Sequence, residues 1–172
     1  MNEKEIAEKA IAGDDDSFLA IMHIHKEPLL RTAMAFLKNE HDALEALQEV
    51  TYRAFKKFQT VREPAYLKTW LIRIMMNYCQ DQLKQRERFV ASDDQLETIG
   101  IEDPSCLEME EALATLSKEE QQLIYLKYFQ DVKIKEIAVL SNIPEGTVKS
   151  RLHKILRSLR NHFLGKGGMD RV

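Results

Sequence analysis

Between Gly146 and Arg160 the chain reads G-T-V-K-S-R-L-H-K-I-L-R-S-L-R. Lys149, Ser150, His153, Lys154 and Arg157 fall outside the apolar positions of this run, with Arg151 and Arg160 on their flanks, so their N–H and O–H groups can donate to base edges or to phosphate oxygens. Residues 145–160 hold five Lys/Arg against one acid. The chemistry this run could do is therefore recognition of a polyanion, provided a second element holds it at the right angle.

That element lies just upstream. With Ile134 as the first position of a helix-turn-helix, Ala138 falls at the fifth, where two helices touch and a small side chain is needed. Asn142 falls at the ninth, in the turn, where a positive φ is required and Asn tolerates it better than most residues. Val148 falls at the fifteenth and plugs the second helix into the first. Pro144 suits the opening turn of that second helix, and Ser141 or Asn142 can supply a cap before it. Val148, Leu152, Ile155, Leu156 and Leu159 recur at three and four residues and predict one buried stripe. The motif places one helix in the major groove of duplex DNA.

The remaining periodicity is helical too. Helices are predicted at 2–12, at 17–37 with a kink or split at Pro28, at 42–58, and from Pro64 to Arg88. The third should bury Ala43, Ala46, Leu47, Val50, Ala54, Phe55 and Phe58. The fourth should bury Leu67, Trp70, Leu71, Ile74, Tyr78 and Leu83, with Met75 and Met76 as packing. Residues 89–106 lack a helical stripe and contain Asp103-Pro104, which predicts a linker. Further helices are predicted at 107–116, 118–129 after a Ser117/Glu120 capping box, 132–140 and 144–164. The fold class is all-α: two small helical domains, 1–88 and 107–172, joined by a flexible linker.

The formal net charge of −3 over 172 residues hides a partition. Residues 1–88 balance 14 basic against 14 acidic side chains, 89–116 carry eight acids and no Lys/Arg, and 117–172 carry 11 basic against six acidic. A basic C-terminal block beside an acidic stretch predicts weak DNA binding by the isolated chain. No apolar run approaches the ~20 residues that span a bilayer. The charged N-terminus does not read as a signal peptide, so the cytoplasm is the expected location. Cys79 and Cys106 have no C-x-x-C spacing and read as ordinary reduced thiols. No phosphate loop, H-E-x-x-H or G-x-S-x-G occurs; no catalytic residue, metal or cofactor is expected, and the chain is not read as an enzyme.

Three segments carry a resemblance: D-A-L-E-A-L-Q-E-V (42–50), F-Q-T-V-R-E-P-A-Y-L-K-T-W-L-I-R-I (58–74) and N-Y-C-Q-D-Q-L-K-Q-R-E-R (77–88). They resemble sigma region 2, and G-T-V-K-S-R-L (146–152) resembles sigma region 4. Together they are similar to the extracytoplasmic-function group of the sigma-70 family. The resemblance implies an initiation factor that binds bacterial core RNA polymerase, with region 2 on the β′ clamp helices and region 4 on the β flap. Asp42, Glu45, Gln48 and Glu49 would then face the clamp. The loop from Gln59 to Tyr66 would accept a base flipped from the non-template strand of the −10 element. Arg62, Tyr66, Lys68, Arg73, Asn77, Lys84 and Arg88 would contact that strand, Tyr66 being equally placed for stacking or for the core. Lys149, Ser150, His153 and Lys154 would face −35 bases, with Arg151 and Arg157 on phosphates. The resemblance also implies an anti-sigma factor, often membrane-anchored. The alternative is a stand-alone helix-turn-helix regulator of duplex DNA.

Overall fold

The computed structural model describes the backbone of residues 1–90 and 104–167 and the side chains of 1–89 and 108–165. The described chain divides into two compact units, with the division after Asp94.

Among the described residues the first unit has five α-helices: α1 (Glu3–Ile11), α2 (Asp15–Ile24), α3 (Lys26–Leu37), α4 (Glu40–Lys57) and α5 (Leu67–Val90). Asn2 and Asp14 cap α1 and α2, and Asn39 Oδ1 accepts from the Asp42 N–H at 2.9 Å to start α4. The segment predicted over 17–37 with a kink or split at Pro28 is two helices. A proline ring collides with the carbonyl four residues earlier, and that carbonyl belongs to Ile24, where α2 ends. The break falls at His25, leaving Pro28 in the first turn of α3, where no N–H is missed.

The core of this unit is a column of Ile21, Leu29, Val50, Leu67, Leu71, Ile72, Met75, Met76 and Cys79. The inward face of α5 agrees with the expected one in part. Leu67 and Leu71 are buried and Met75 and Met76 pack inside as expected, but Ile72 and Cys79 join them, whereas Trp70, Ile74, Tyr78 and Leu83 are half-buried along its flank. Phe55, expected inside, is half exposed at the edge of an aromatic cluster. In that cluster Phe58 meets Phe18 at 4.9 Å and Trp70 at 5.8 Å between ring centroids, both edge-to-face. Burial pushes the Cys79 thiol up to about 12, so it stays protonated. The side chain of Cys106 lies outside the described residues.

The second unit holds α6 (Pro104–Ala114), α7 (Lys118–Ile124), α8 (Ile134–Ser141) and α9 (Glu145–Gly167). The Ser117 capping box forms as expected, with the Glu120 N–H donating to Ser117 Oγ at 3.2 Å and the Ser117 N–H donating to Glu120 Oε1 at 3.0 Å. The helix predicted over 118–129 is α-helical only to Ile124 and then widens into a π turn, Tyr125–Phe129. The Gln130 N–H reaches back five residues to the Tyr125 carbonyl at 3.1 Å. Tyr125 and Leu126 stay buried while Tyr128 and Phe129 turn outward. The expected linker at 89–106 is shortened at both ends, because α5 runs to Val90 and α6 starts at Pro104. The rest of it lies outside the described residues.

Candidate nucleic-acid and polymerase interfaces

The turn between α8 and α9 is closed by backbone hydrogen bonds. Asn142 takes φ +55; its N–H donates to the Val139 carbonyl at 3.3 Å, and the Ile143 N–H donates to the Ala138 carbonyl at 3.1 Å. These are the two bonds of a Schellman stop. Asn142 therefore ends the first helix rather than capping the second. Ala138 and Val148 are buried at the crossing, with Leu152 and Ile155 continuing the seam of α9. Leu156 departs from the expected stripe and is exposed. At about 100° per residue it stands ~80° round the helix from Val148, beyond the reach of α8.

Lys149, Ser150, Arg151, His153, Lys154 and Arg157 are all exposed on α9, as a recognition helix requires. Arg157 Nη2 lies 3.2 Å from His153 Nε2. A guanidinium can only donate, so any hydrogen bond in this contact runs from Arg157 to Nε2. The pair couples a residue expected to read bases to one expected to hold phosphate.

In the first unit the loop between α4 and α5 is pinned at its ends and open at its tip. Phe58, Val61 and Leu67 are buried, within and beyond two 3₁₀ turns, Phe58–Thr60 and Pro64–Tyr66. Glu63 Oε1 accepts from the Ala65 N–H at 3.3 Å and caps the second turn. Arg62 is exposed at the tip and Tyr66 is half-buried at the base. Along α5 the helical winding gathers Arg73, Asn77, Lys84 and Arg88 into a sector about 60° wide. Lys68 does not join them; it projects from the opposite side, at the start of the helix. Partial burial draws the Arg73 guanidinium below its ordinary value, and a cation held partly out of water gains more from a phosphate.

Comparison with known proteins decides what these surfaces belong to. Residues 21–89 match the family model "Sigma-70 region 2" and residues 106–159 match "Sigma-70, region 4". The chain is 34% identical to the RNA polymerase sigma factor SigV of Bacillus subtilis, over 79% of this chain and 84% of that protein. It is 28% identical to the ECF RNA polymerase sigma factor SigW of the same organism, over 88% and 91%. The chain belongs to the sigma-70 family, in its extracytoplasmic-function group. Its fold is similar to that of the sigma factor RpoE of Bartonella quintana, solved with the anti-sigma factor NepR (TM-score 0.60, 22% identity, 85% of this chain and 96% of that one). It is similar also to that of CnrH, solved with the cytosolic domain of CnrY (TM-score 0.63, 18% identity, 95% and 97%).

In this sigma factor the outer face of α4 is less acidic than its sequence suggests. Asp42 Oδ2 is 2.8 Å from Arg86 Nη2 of α5. Glu49 Oε1 accepts from Arg53 Nε at 3.0 Å, and the Arg53 guanidinium lies over the Tyr78 ring at 5.0 Å. Burial first, then Glu49 and Glu45, push the Tyr78 phenol above its ordinary value. Of the four residues expected to face a partner, Asp42 is thus tied to α5, while Glu49 is paired with Arg53 of its own helix. Glu45, itself 3.3 Å from His41, and Gln48 point outward. Beside them Leu44, Tyr52 and Phe55 are each about half exposed. Sequence reading missed this apolar border. Glu49 and Arg53 are four apart and could have been paired from the sequence, but Asp42 and Arg86 are brought together only by the tertiary fold. No helix among the described residues is long and apolar enough to cross a membrane.

Proposed function

We propose that the two units divide promoter recognition between them on bacterial core RNA polymerase. Residues 1–88 bind the β′ clamp through α4 and open the −10 element, 89–106 link, and 107–172 rest on the β flap and read the −35 element through α9. The observation that carries this reading is the pairing, in one chain and in family order, of an exposed basic recognition helix with a tethered loop and a basic row on α5. Lys149, Ser150, His153 and Lys154 face base edges, while Arg151 and Arg157 hold phosphates. Arg62 and Tyr66 meet the flipped base. Arg73, Asn77, Lys84 and Arg88 follow the displaced strand, an electrostatic track of the kind single strands require. Lys68 meets the strand only where it enters the loop.

On α4, Glu45 and Gln48 make the polar contact to the clamp and Leu44 the apolar one. Asp42 acts indirectly by fixing α4 to α5, and Glu49 by holding Arg53, whose guanidinium lies over Tyr78. The factor binds and positions; bond-making belongs to the polymerase, and both work in the cytoplasm. An anti-sigma factor controls it, a reading supported by the NepR-bound relative in fold. Run-off transcription with core polymerase and a pool of promoter fragments tests the whole. Transcripts that need the wild-type chain and are lost with Lys149→Glu/Lys154→Glu are expected. Tight duplex binding by the chain alone, with no core-dependent transcript, would move it to the stand-alone regulators.

A further inference from the structure

The region 2 family match begins at residue 21, yet α1 lies well before it and is not a loose appendage. It packs on α2 and on both 3₁₀ turns that bound the 59–66 loop. Its inward residues are Ala7 and Ala10, almost fully buried, which lets the helix backbone approach closely. Where α1 ends, Gly13 has φ +106, and a Cβ there would come 3.2 Å from Gln59 Nε2. The first loop side chain thus lies over the α1–α2 turn. At the other end of α1, Glu3 Oε1 is 3.0 Å from Nε2 of His25, which is 4% exposed at the α2–α3 break. The contact is not a well-aligned hydrogen bond, and it becomes an ion pair only when the ring is protonated. Lys68, at the exit of the same loop, is close enough to act on His25 electrostatically. One short helix therefore packs against the loop both where it starts and where it ends.

We propose that α1 is a positioning strut for the base-accepting loop, with Gly13 and the Glu3–His25 contact as its two fixing points. It sets the pose in which Arg62 and Tyr66 meet the non-template strand. The inference rests on the reading of that loop as the site of base capture. None of these residues lies on the outer face of α4, so polymerase binding and loop pose separate.

The test compares full-length Glu3→Gln and Gly13→Ala proteins, each with bacterial core polymerase. Core affinity is measured by anisotropy of the labelled factor, and transcript ratios are taken between fragments that differ at single −10 positions. Arg62→Ala and Tyr66→Ala run beside them. Core affinity should stay within about twofold, while −10 discrimination falls about three- to tenfold in both strut variants, the range expected of a positioning residue acting at a distance. Unchanged discrimination in the strut variants, with discrimination lost in Arg62→Ala and Tyr66→Ala, overturns the strut and leaves base capture standing. A loss that only follows core affinity also overturns it, because plain destabilisation would do the same. If Arg62→Ala and Tyr66→Ala change nothing, base capture by the loop falls and the strut with it.

Discussion

Base contacts and phosphate contacts on α9 have different signatures. Lys149→Ala should change which promoters are chosen, at a cost near the low end of ~1–3 kcal/mol for the favoured −35 sequence. Arg151→Ala should weaken all promoters alike and flatten the dependence on salt. Competitive transcription from mixed promoters at two salt concentrations separates the two. His25 makes a second prediction. Desolvation, only partly offset by Glu3 and reinforced by Lys68, lowers its pKa in the folded protein. Below about 6.5 the unfolded chain then binds a proton that the folded one resists. Stability should therefore fall as pH drops through that value toward the lower folded one. Thermal melts across this range should show the slope, steeper in Glu3→Gln, which removes the group favouring the charged ring, and flatter in His25→Gln. The exposure of the basic α9 residues was legible from spacing; that of Leu156 was not. Nor was the loss of Asp42 to α5, because Arg86 lies far away in sequence.

At the level of elements, the α8–α9 turn concentrates the stability of the reading head. Asn142 occupies the left-handed region, which costs an ordinary L-residue ~1–2 kcal/mol and glycine almost nothing. Asn142→Ala should destabilise the C-terminal unit by about 1 kcal/mol and Asn142→Gly should not, as read by denaturant unfolding. Ala138→Leu should cost about 1–3 kcal/mol by overpacking the crossing, and −35 binding should fall with it. Both positions announce themselves in the sequence because the turn leaves few residue types that fit. The inward face of α5 did so only in part. From Leu67 to Cys79 that helix is apolar on most sides, so two stripes compete, and the choice of Ile72 and Cys79 is made by packing against α3 and α4. The split before Pro28 was foreseen, but its position depended on which carbonyl the ring would strike. The π turn at Tyr125 left no periodic trace.

For the whole molecule the uneven charge governs binding in isolation. Eight acids without a base between 89 and 116, beside a basic C-terminal block, should depress duplex affinity of the free factor. Replacing Asp93, Asp94 and Glu97 by their amides should tighten binding to promoter duplex, most at low salt, with the gain fading as the Debye length shortens to about 8 Å at physiological ionic strength. Filter binding over a salt series checks this, and equal affinity at every salt would discount the acidic stretch.

The chain holds a single tryptophan, and Trp70 rests against Phe58, the residue that opens the 59–66 loop. All indole emission from the free factor therefore originates beside the segment expected to receive the flipped base. The protein carries its own optical gauge: titrating it with a −10 single strand reads the loop directly, with no dye attached.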